Sequence, residues 1–318
     1  MPRRPGPTDP NAILQAALNE LLRDRPFAGE AEVQSFLEAQ VRAYNTRPQR
    51  ELGGLSPLDM SELLSGDWEN SGALTINAAL EPNEIGDPEF LFNAIALLTA
   101  LRDEGPAKAT AAGNLSREFV TLMLPRMRFA GKYLEDVHRM NKVINESDVG
   151  PLEITRHVLV FAGLVHRRKG FRITPAGREL LSDARRGELF ALLFRTFFRV
   201  LDLRALDRQD MNAGLQQAIA FTFWKLRAEA ESWSTPACLA EVAWLESAKD
   251  PPLENPIFPD SERREWHFRS RVIDPLVEFG LLESRDLPAK EPWEHSIQVR
   301  KTPLYDRVLL FRFGGSAR

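Results

Sequence analysis

Apolar residues recur every three to four positions along several stretches of this chain, and each such stretch predicts a helix. Ile13, Leu14, Ala17, Leu18, Leu21 and Leu22 form the first, with Asn11 as its cap. Val33, Phe36, Leu37, Val41 and Tyr44 form a second from about Glu30, which Asn45-Thr46-Arg47-Pro48 should break. Ser56 is placed to cap a short helix that has Pro57 at its first position. Residues 66–88, rich in Gly, Asn, Pro and acid, read as an irregular connector. A strongly apolar helix with Phe90, Leu91, Phe92, Ile95, Leu97, Leu98 and Leu101 is expected from about Pro88 to Arg102.

The next hundred residues change period. Lys108 to Leu115 is short and extended, Ser116 caps a helix through Phe119, Val120, Leu122, Met123 and Leu124, and another helix runs from about Pro151 to Ala162. Leu164 to Ile173 then reads as two short strands around a Lys-Gly turn, a β-hairpin. Thr174-Pro175 opens one more helix, to about Ala184. Helix, short strand, helix, helix, hairpin is the winged-helix order. Three helices bury a small core while the hairpin covers its open edge and projects its turn into solvent.

The pattern returns. Val160-Phe-Ala-Gly163-Leu164 aligns with Val277-Glu-Phe-Gly280-Leu281 at an offset of 117 residues, and Arg172-Ile-Thr174-Pro175 aligns with Arg300-Lys-Thr302-Pro303 at 128. The extra 11 residues fall inside the hairpin, so the second wing should be longer, with Pro288 and Pro292 at its tip. This reads as an internal duplication. Between the copies, helices at about 187–202 and 209–232 carry Phe190, Phe194, Phe197, Phe198, Phe221, Phe223 and Trp224, a stripe that suits core packing better than base stacking. The expected fold is mainly α with small β-hairpins: tandem winged-helix-like units joined by a helical middle region. The expected divisions are a disordered tail at 1–10, an N-terminal helical region and connector at 11–87, a first unit at 88–186, a helical bridge at 187–232 and a second unit at 233–318.

Composition narrows the setting. The chain has 318 residues, 43% of them hydrophobic, with no apolar run near the roughly 20 residues that span a bilayer. The N-terminus has no apolar stretch of the kind a signal peptide needs. A single cysteine, Cys238, expected as a small buried helix residue, points to a cytoplasmic protein without disulfides. The net charge of −4 is uneven. Between Arg117 and Arg186 there are 14 lysines and arginines against 8 acids, a local net of +6 within an otherwise acidic chain. That distribution argues against wholesale coating by nucleic acid but permits a local footprint.

No catalytic centre is legible. Neither G-x-G-x-x-G nor G-x-x-x-x-G-K-[ST] occurs, nor does H-E-x-x-H. Glu153 and His157 share a helix face, but two ligands are too few for a zinc site. The expectation is therefore no catalytic residue, no metal and no cofactor, although an enzyme whose residues converge only in the fold stays open. The chemistry that stands out is cationic. Arg167, Arg168, Lys169 and Arg172 surround the first hairpin tip, where phosphates would reward each cation by counterion release. On the preceding helix only Glu153, Thr155, Arg156 and His157 could reach base edges, a thin set for direct readout. The second copy's helix is richer, with Arg263, Arg264, Arg269 and Arg271 beside His267, Trp266 and Phe268.

Two stretches resemble known families. Tyr44-Asn-Thr-Arg-Pro48 through Leu52-Gly-Gly-Leu-Ser-Pro57 is similar to the tail of the catalytic domain of insertion-sequence transposases. Their acidic triad would have to lie in the 43 preceding residues, which read as helices. The motif Leu52-Gly-Gly-Leu-Ser-Pro57, with Lys108-x-Thr110-x-x-Gly113-Asn114-Leu115 and Arg300-Lys-Thr-Pro303-Leu304, resembles uncharacterised bacterial proteins, some associated with plasmid ORF-3-type reading frames or SEC-C metal motifs. No SEC-C cysteine cluster exists here, so that resemblance implies no zinc site. The expected function is a non-enzymatic nucleic-acid-associated regulatory or accessory protein, with duplex DNA as the partner and no membrane. The competing expectation is a protein-interaction scaffold in a larger bacterial assembly.

Overall fold

Most described residues lie in helices, and the strands are confined to three two-stranded antiparallel sheets. The structure is a computed structural model that describes residue 27 and residues 29–252, 258–288 and 296–313. The tail expected at 1–10, the helix expected over Ile13–Leu22 and Pro292 of the second wing tip lie outside the described residues. Among the described residues no helix is long and apolar enough to cross a membrane.

Helix α1 (Glu30–Thr46) buries none of its residues, and Val41 and Tyr44 on its apolar face stay exposed. Helix α2 (Pro57–Ser65) starts as expected. The Ser56 hydroxyl accepts the Asp59 amide at 3.1 Å, and the Asp59 carboxylate accepts the Ser56 amide in return, which satisfies two otherwise orphaned donors. The connector at 66–88 is less irregular than its composition suggested. It holds a strand, β1 (Leu74–Ile76), and a short helix, α3 (Pro82–Ile85).

The first hairpin-bearing unit follows. Helix α4 (Glu89–Asp103) leads into an extended segment at Ala107, then α5 (Arg117–Met123), capped by Ser116, α6 (Tyr133–Met140) and α7 (Gly150–Phe161). Strands β2 (Val165–Arg167) and β3 (Phe171–Ile173) form the hairpin, with Val165 opposite Ile173 and Arg167 opposite Phe171. Helix α8 (Pro175–Glu179) closes the unit. Ala107 bridges to Phe171, its amide donating to the Phe171 carbonyl at 3.0 Å and its carbonyl accepting at 2.8 Å, so the extended segment becomes a third strand edge. Helix α6 was not expected. It is eight residues long and buries only Val137.

The middle region begins with α9 (Arg186–Arg199). A short helix, α10 (Arg204–Asp207), follows, and the long helix expected at 209–232 is instead α11 (Gly214–Gln217) and α12 (Ile219–Glu229); before them Arg208 and Asn212 take left-handed backbone angles, φ 57° and 58°. The second unit comprises α13 (Pro236–Ala243), α14 (Asp260–Phe268), one π-helical turn (Arg269–Ile273), α15 (Asp274–Glu278), β4 (Leu282–Asp286), β5 (Ile297–Lys301) and α16 (Pro303–Val308). Ser234 bridges to Val299 as Ala107 does to Phe171. Helix α12 thus precedes its bridging strand as α4 precedes its own. A final strand, β6 (Leu309–Phe311), returns across the chain to pair with β1, Leu74 opposite Phe311.

The two hairpins share their anchoring bonds as well as their order. Gly163 and Gly280 end the preceding helices at φ 72° and 73°, a region where a side chain would be strained. The Thr174 hydroxyl donates to the Gly163 carbonyl at 2.9 Å, and the Thr302 hydroxyl donates to the Gly280 carbonyl at 2.7 Å. Their amides bond to Leu164 and Leu281, each at 2.9 Å.

One hydrophobic cluster runs from Leu55 to Leu309. At its centre Phe279 meets Phe90 of α4, ring centroids 4.6 Å apart, and Phe190, Phe194 and Phe197 of α9 at 5.6, 5.2 and 5.4 Å. The aromatic stripe of the middle region is core, as its spacing suggested. Truncation of a buried phenylalanine costs about 3–5 kcal/mol. Phe279→Ala should therefore lower the unfolding free energy of the whole chain by that amount, seen by tryptophan fluorescence as a lower urea midpoint in a single transition. Two separated transitions would show that the units do not share this core.

Candidate nucleic-acid interface

The first hairpin is narrow and exposes its cations. Lys169 and Gly170 turn the chain with left-handed angles, φ 55° and 111°. A Cβ on Gly170 would sit 2.5 Å from the Ala107 carbonyl oxygen, so only glycine allows the third strand to approach there. Arg167, Arg168, Lys169 and Arg172 are all exposed, and none forms an ion pair with a described residue. Lys108, on the third strand beside Gly170, adds a fifth exposed cation. Its cue in the sequence was its place at the head of the Lys108-x-Thr110-x-x-Gly113-Asn114-Leu115 motif.

That motif folds as a small loop against the wing. The Thr110 amide donates to the Asn114 carbonyl at 2.8 Å, and the Thr110 hydroxyl accepts the Asn114 amide at 3.1 Å. Gly113 lies under Arg167, so close that a Cβ would overlap the guanidinium. The Leu115 amide donates to Glu146 at 2.7 Å, and Glu146 forms a buried ion pair with Arg156. The Arg156 guanidinium lies 5.0 Å from the Phe171 ring centroid. One buried charge pair thereby joins loop, helix and hairpin.

The helix before the wing offers little to a base edge. Thr155 and Arg156 are buried, and only Glu153 and His157 are part-exposed. Burial and the Arg156 and Arg167 guanidiniums push His157 down to about 4, so it is neutral near pH 7. Among the described residues no group of three or more His, Cys, Asp or Glu could hold a metal ion.

The arginine-rich helix of the second unit departs from expectation. Arg271 is buried and points inward. Its Nε donates to Asp207 at 2.6 Å, its Nη2 to Asp207 at 2.9 Å and to the Gln209 carbonyl at 2.9 Å, and its Nη1 to the Met211 carbonyl at 2.6 Å. His267 is buried on the same carboxylate, Nδ1 to Oδ2 2.8 Å. Arg263 pairs with Asp260 at 2.5 Å, Arg264 with Glu241 at 3.9 Å and Arg269 with Asp274 at 3.5 Å. The helical period turns 267, 268 and 271 into the core, and nearby acids compensate the rest. Arg271 therefore cannot contact a ligand at the surface, and the other three do not make a free cationic face. Cys238, expected to be buried, is exposed on α13.

The two helices that precede the hairpins border one cleft. A cavity of about 280 Å³ is lined by Glu153 of α7 and by Asp274 and Glu278 of α15, with Arg208 also on its wall. Burial pushes the Glu278 carboxyl up to about 8, and the charges of Glu89 and Asp274 add to the rise. Burial also raises Asp274 against Arg269, and Glu89 against Arg128. A cleft lined mainly by carboxyl groups offers a phosphate backbone little.

Residues 89–186 match the family model of the Y4jL N-terminal domain. This stretch runs from the start of α4 to the start of α9. The chain is also similar to the uncharacterized protein y4jL of Sinorhizobium fredii (strain NBRC 101917 / NGR234), 30% identical over 93 residues, which is 29% of this chain and 42% of that relative. The match thus spans less than half the length of the relative. No solved structure matches the chain.

The raised Glu278 has a consequence for stability. The folded state keeps this proton to about pH 8, whereas the unfolded chain releases it near its ordinary value of 4.5. Its contribution is therefore full below about pH 4.5 and is lost as pH rises towards 8. Glu278→Gln should raise the melting temperature by several degrees at pH 8 and leave it nearly unchanged at pH 5, as read by differential scanning fluorimetry. An equal shift at both pH values would contradict the assignment.

Proposed function

We propose that this protein is a non-enzymatic nucleic-acid-associated factor whose first unit works as a winged helix gripping the phosphate backbone of duplex DNA with its wing. The observation that carries this reading is the set of exposed, uncompensated cations Arg167, Arg168, Lys169, Arg172 and Lys108 on one rigid hairpin and its adjoining strand. Free cations are what counterion release rewards, and phosphate contacts position a protein without specifying sequence. The poor readout set on α7 favours binding that is weakly sequence-dependent. Lys108 enters this site from the structure, and Arg271 leaves it.

A different role suits the second unit. Trp266 and Val242 are exposed on α14 and α13, and Phe258 is exposed just before α14. Apolar side chains among paired charges favour a protein partner over a phosphate backbone. The scaffold reading therefore attaches to this unit, and a partner that co-purifies after nuclease treatment supports it.

Fluorescence anisotropy with a labelled duplex of mixed sequence tests the main reading. Binding should weaken steeply with salt. Charge reversal at Arg167, Arg168 and Lys169 should abolish most of it, whereas reversal of Lys169 alone should lower the magnitude of the salt slope by about 1. Binding that is independent of salt, or indifferent to the triple reversal, would refute the assignment.

A further inference from the structure

A second cavity is lined by the middle region together with Leu64, Trp68 and Arg271. It encloses about 580 Å³, within the range of small-molecule sites. We propose that it binds a small organic phosphate, with Arg199, Arg204 and Gln217 as the donors to the phosphate oxygens. The proposal does not depend on nucleic-acid binding by the wing.

The walls are held before any ligand arrives. Arg271, delivered by the π-helical turn, holds the loop at 209–212 through the Gln209 and Met211 carbonyls. Single π turns often mark functional sites. Asn212 lines the cavity with a left-handed backbone, and its side-chain oxygen accepts the Asp250 amide at 3.1 Å while its own amide donates to the Asp250 carboxylate at 2.5 Å. Across the cavity Gln216 is locked, its Nε2 donating to the Leu201 carbonyl at 2.7 Å and its Oε1 accepting the Leu203 amide at 3.1 Å. Such a frame needs little ordering on binding.

The free donors define the ligand. Arg204 engages Asp202 through Nε and Nη2, at 3.0 and 2.7 Å, which leaves Nη1 for another acceptor. Arg199 donates from Nη1 to the Gly66 carbonyl and lies 5.3 Å from the Trp68 ring centroid, but it has no carboxylate among the described residues. The Gln217 side chain is exposed and has no hydrogen-bond partner among the described residues. With Arg271 neutralised by Asp207 and Arg204 by Asp202, Arg199 leaves the cavity one positive charge in excess. Two guanidinium groups and an amide suit an anion with several acceptor oxygens, which a phosphate supplies. Exposed Val200 gives an organic body an apolar contact.

Isothermal titration of the full chain tests this with adenosine 5′-monophosphate, ribose 5-phosphate, inorganic phosphate and adenosine. At least one of the two organic phosphates should bind with one-to-one stoichiometry and more tightly than inorganic phosphate, and adenosine should not bind. Gln217→Glu adds a negative charge at an exposed, unbonded position, so the fold should persist while affinity falls about tenfold or more. Arg199→Gln should weaken binding at least as much. Charge reversal of Arg167, Arg168 and Lys169 should leave it unchanged, which separates this cavity from the wing. The proposal fails if neither organic phosphate binds at millimolar concentration, or if inorganic phosphate binds as tightly. It fails equally if Gln217→Glu has no effect or if the wing reversal removes the binding.

Discussion

The ring of Phe279 lies where three parts of the chain meet. It stacks on Phe90 from the first unit, and Phe190, Phe194 and Phe197 of the middle region surround it edge-on. Aromatic pairs of this kind add about 0.5–1.5 kcal/mol each beyond the area they bury. The next residue, Gly280, must stay in the left-handed region to turn the chain into β4, so ring and turn are fixed together. At the matching place in the first unit stands Ala162, preceded by an exposed Phe161. The two units therefore use the same turn differently. The second inserts a ring into the common core, and the first leaves Phe161 exposed.

That difference sorts the charges. Inserting Phe279 brings α15 towards α7, and with it Asp274 and Glu278 towards Glu153. Acids brought together in a half-buried cleft hold on to protons and offer a phosphate no cation. On the first hairpin Arg167, Arg168, Lys169 and Arg172 form no ion pair with a described acid. The buried pair Glu146–Arg156 fixes the wing to the helix beneath it, and its cost in desolvation is offset by further bonds to Leu115 and by the Phe171 ring. These wing cations belong to a chain whose net charge is −4.

Much of this fold was legible in local sequence. Caps at Ser56 and Ser116, the glycine turns at 163 and 280, and the Thr-Pro starts at 174 and 302 each depend on two to five neighbouring residues, and each formed. Long-range pairing was not legible. Leu74–Ile76 is only three residues long, and its partner strand lies more than 230 residues away. The candidate site divided in the same way. The wing cations follow from a hairpin with a short turn, whereas the fate of Arg271 depended on Asp207, 64 residues earlier and between the two expected middle helices. Counting arginines on a helix could not reveal which of them the fold had already paired.

Hydrogen–deuterium exchange of the full chain, with and without duplex DNA, tests the central claim most directly. The account predicts protection of residues 165–173 and of the adjoining 107–117 on binding, with residues 260–278 unchanged. Protection centred on 260–278, with the first wing exchanging as in the free protein, would contradict it.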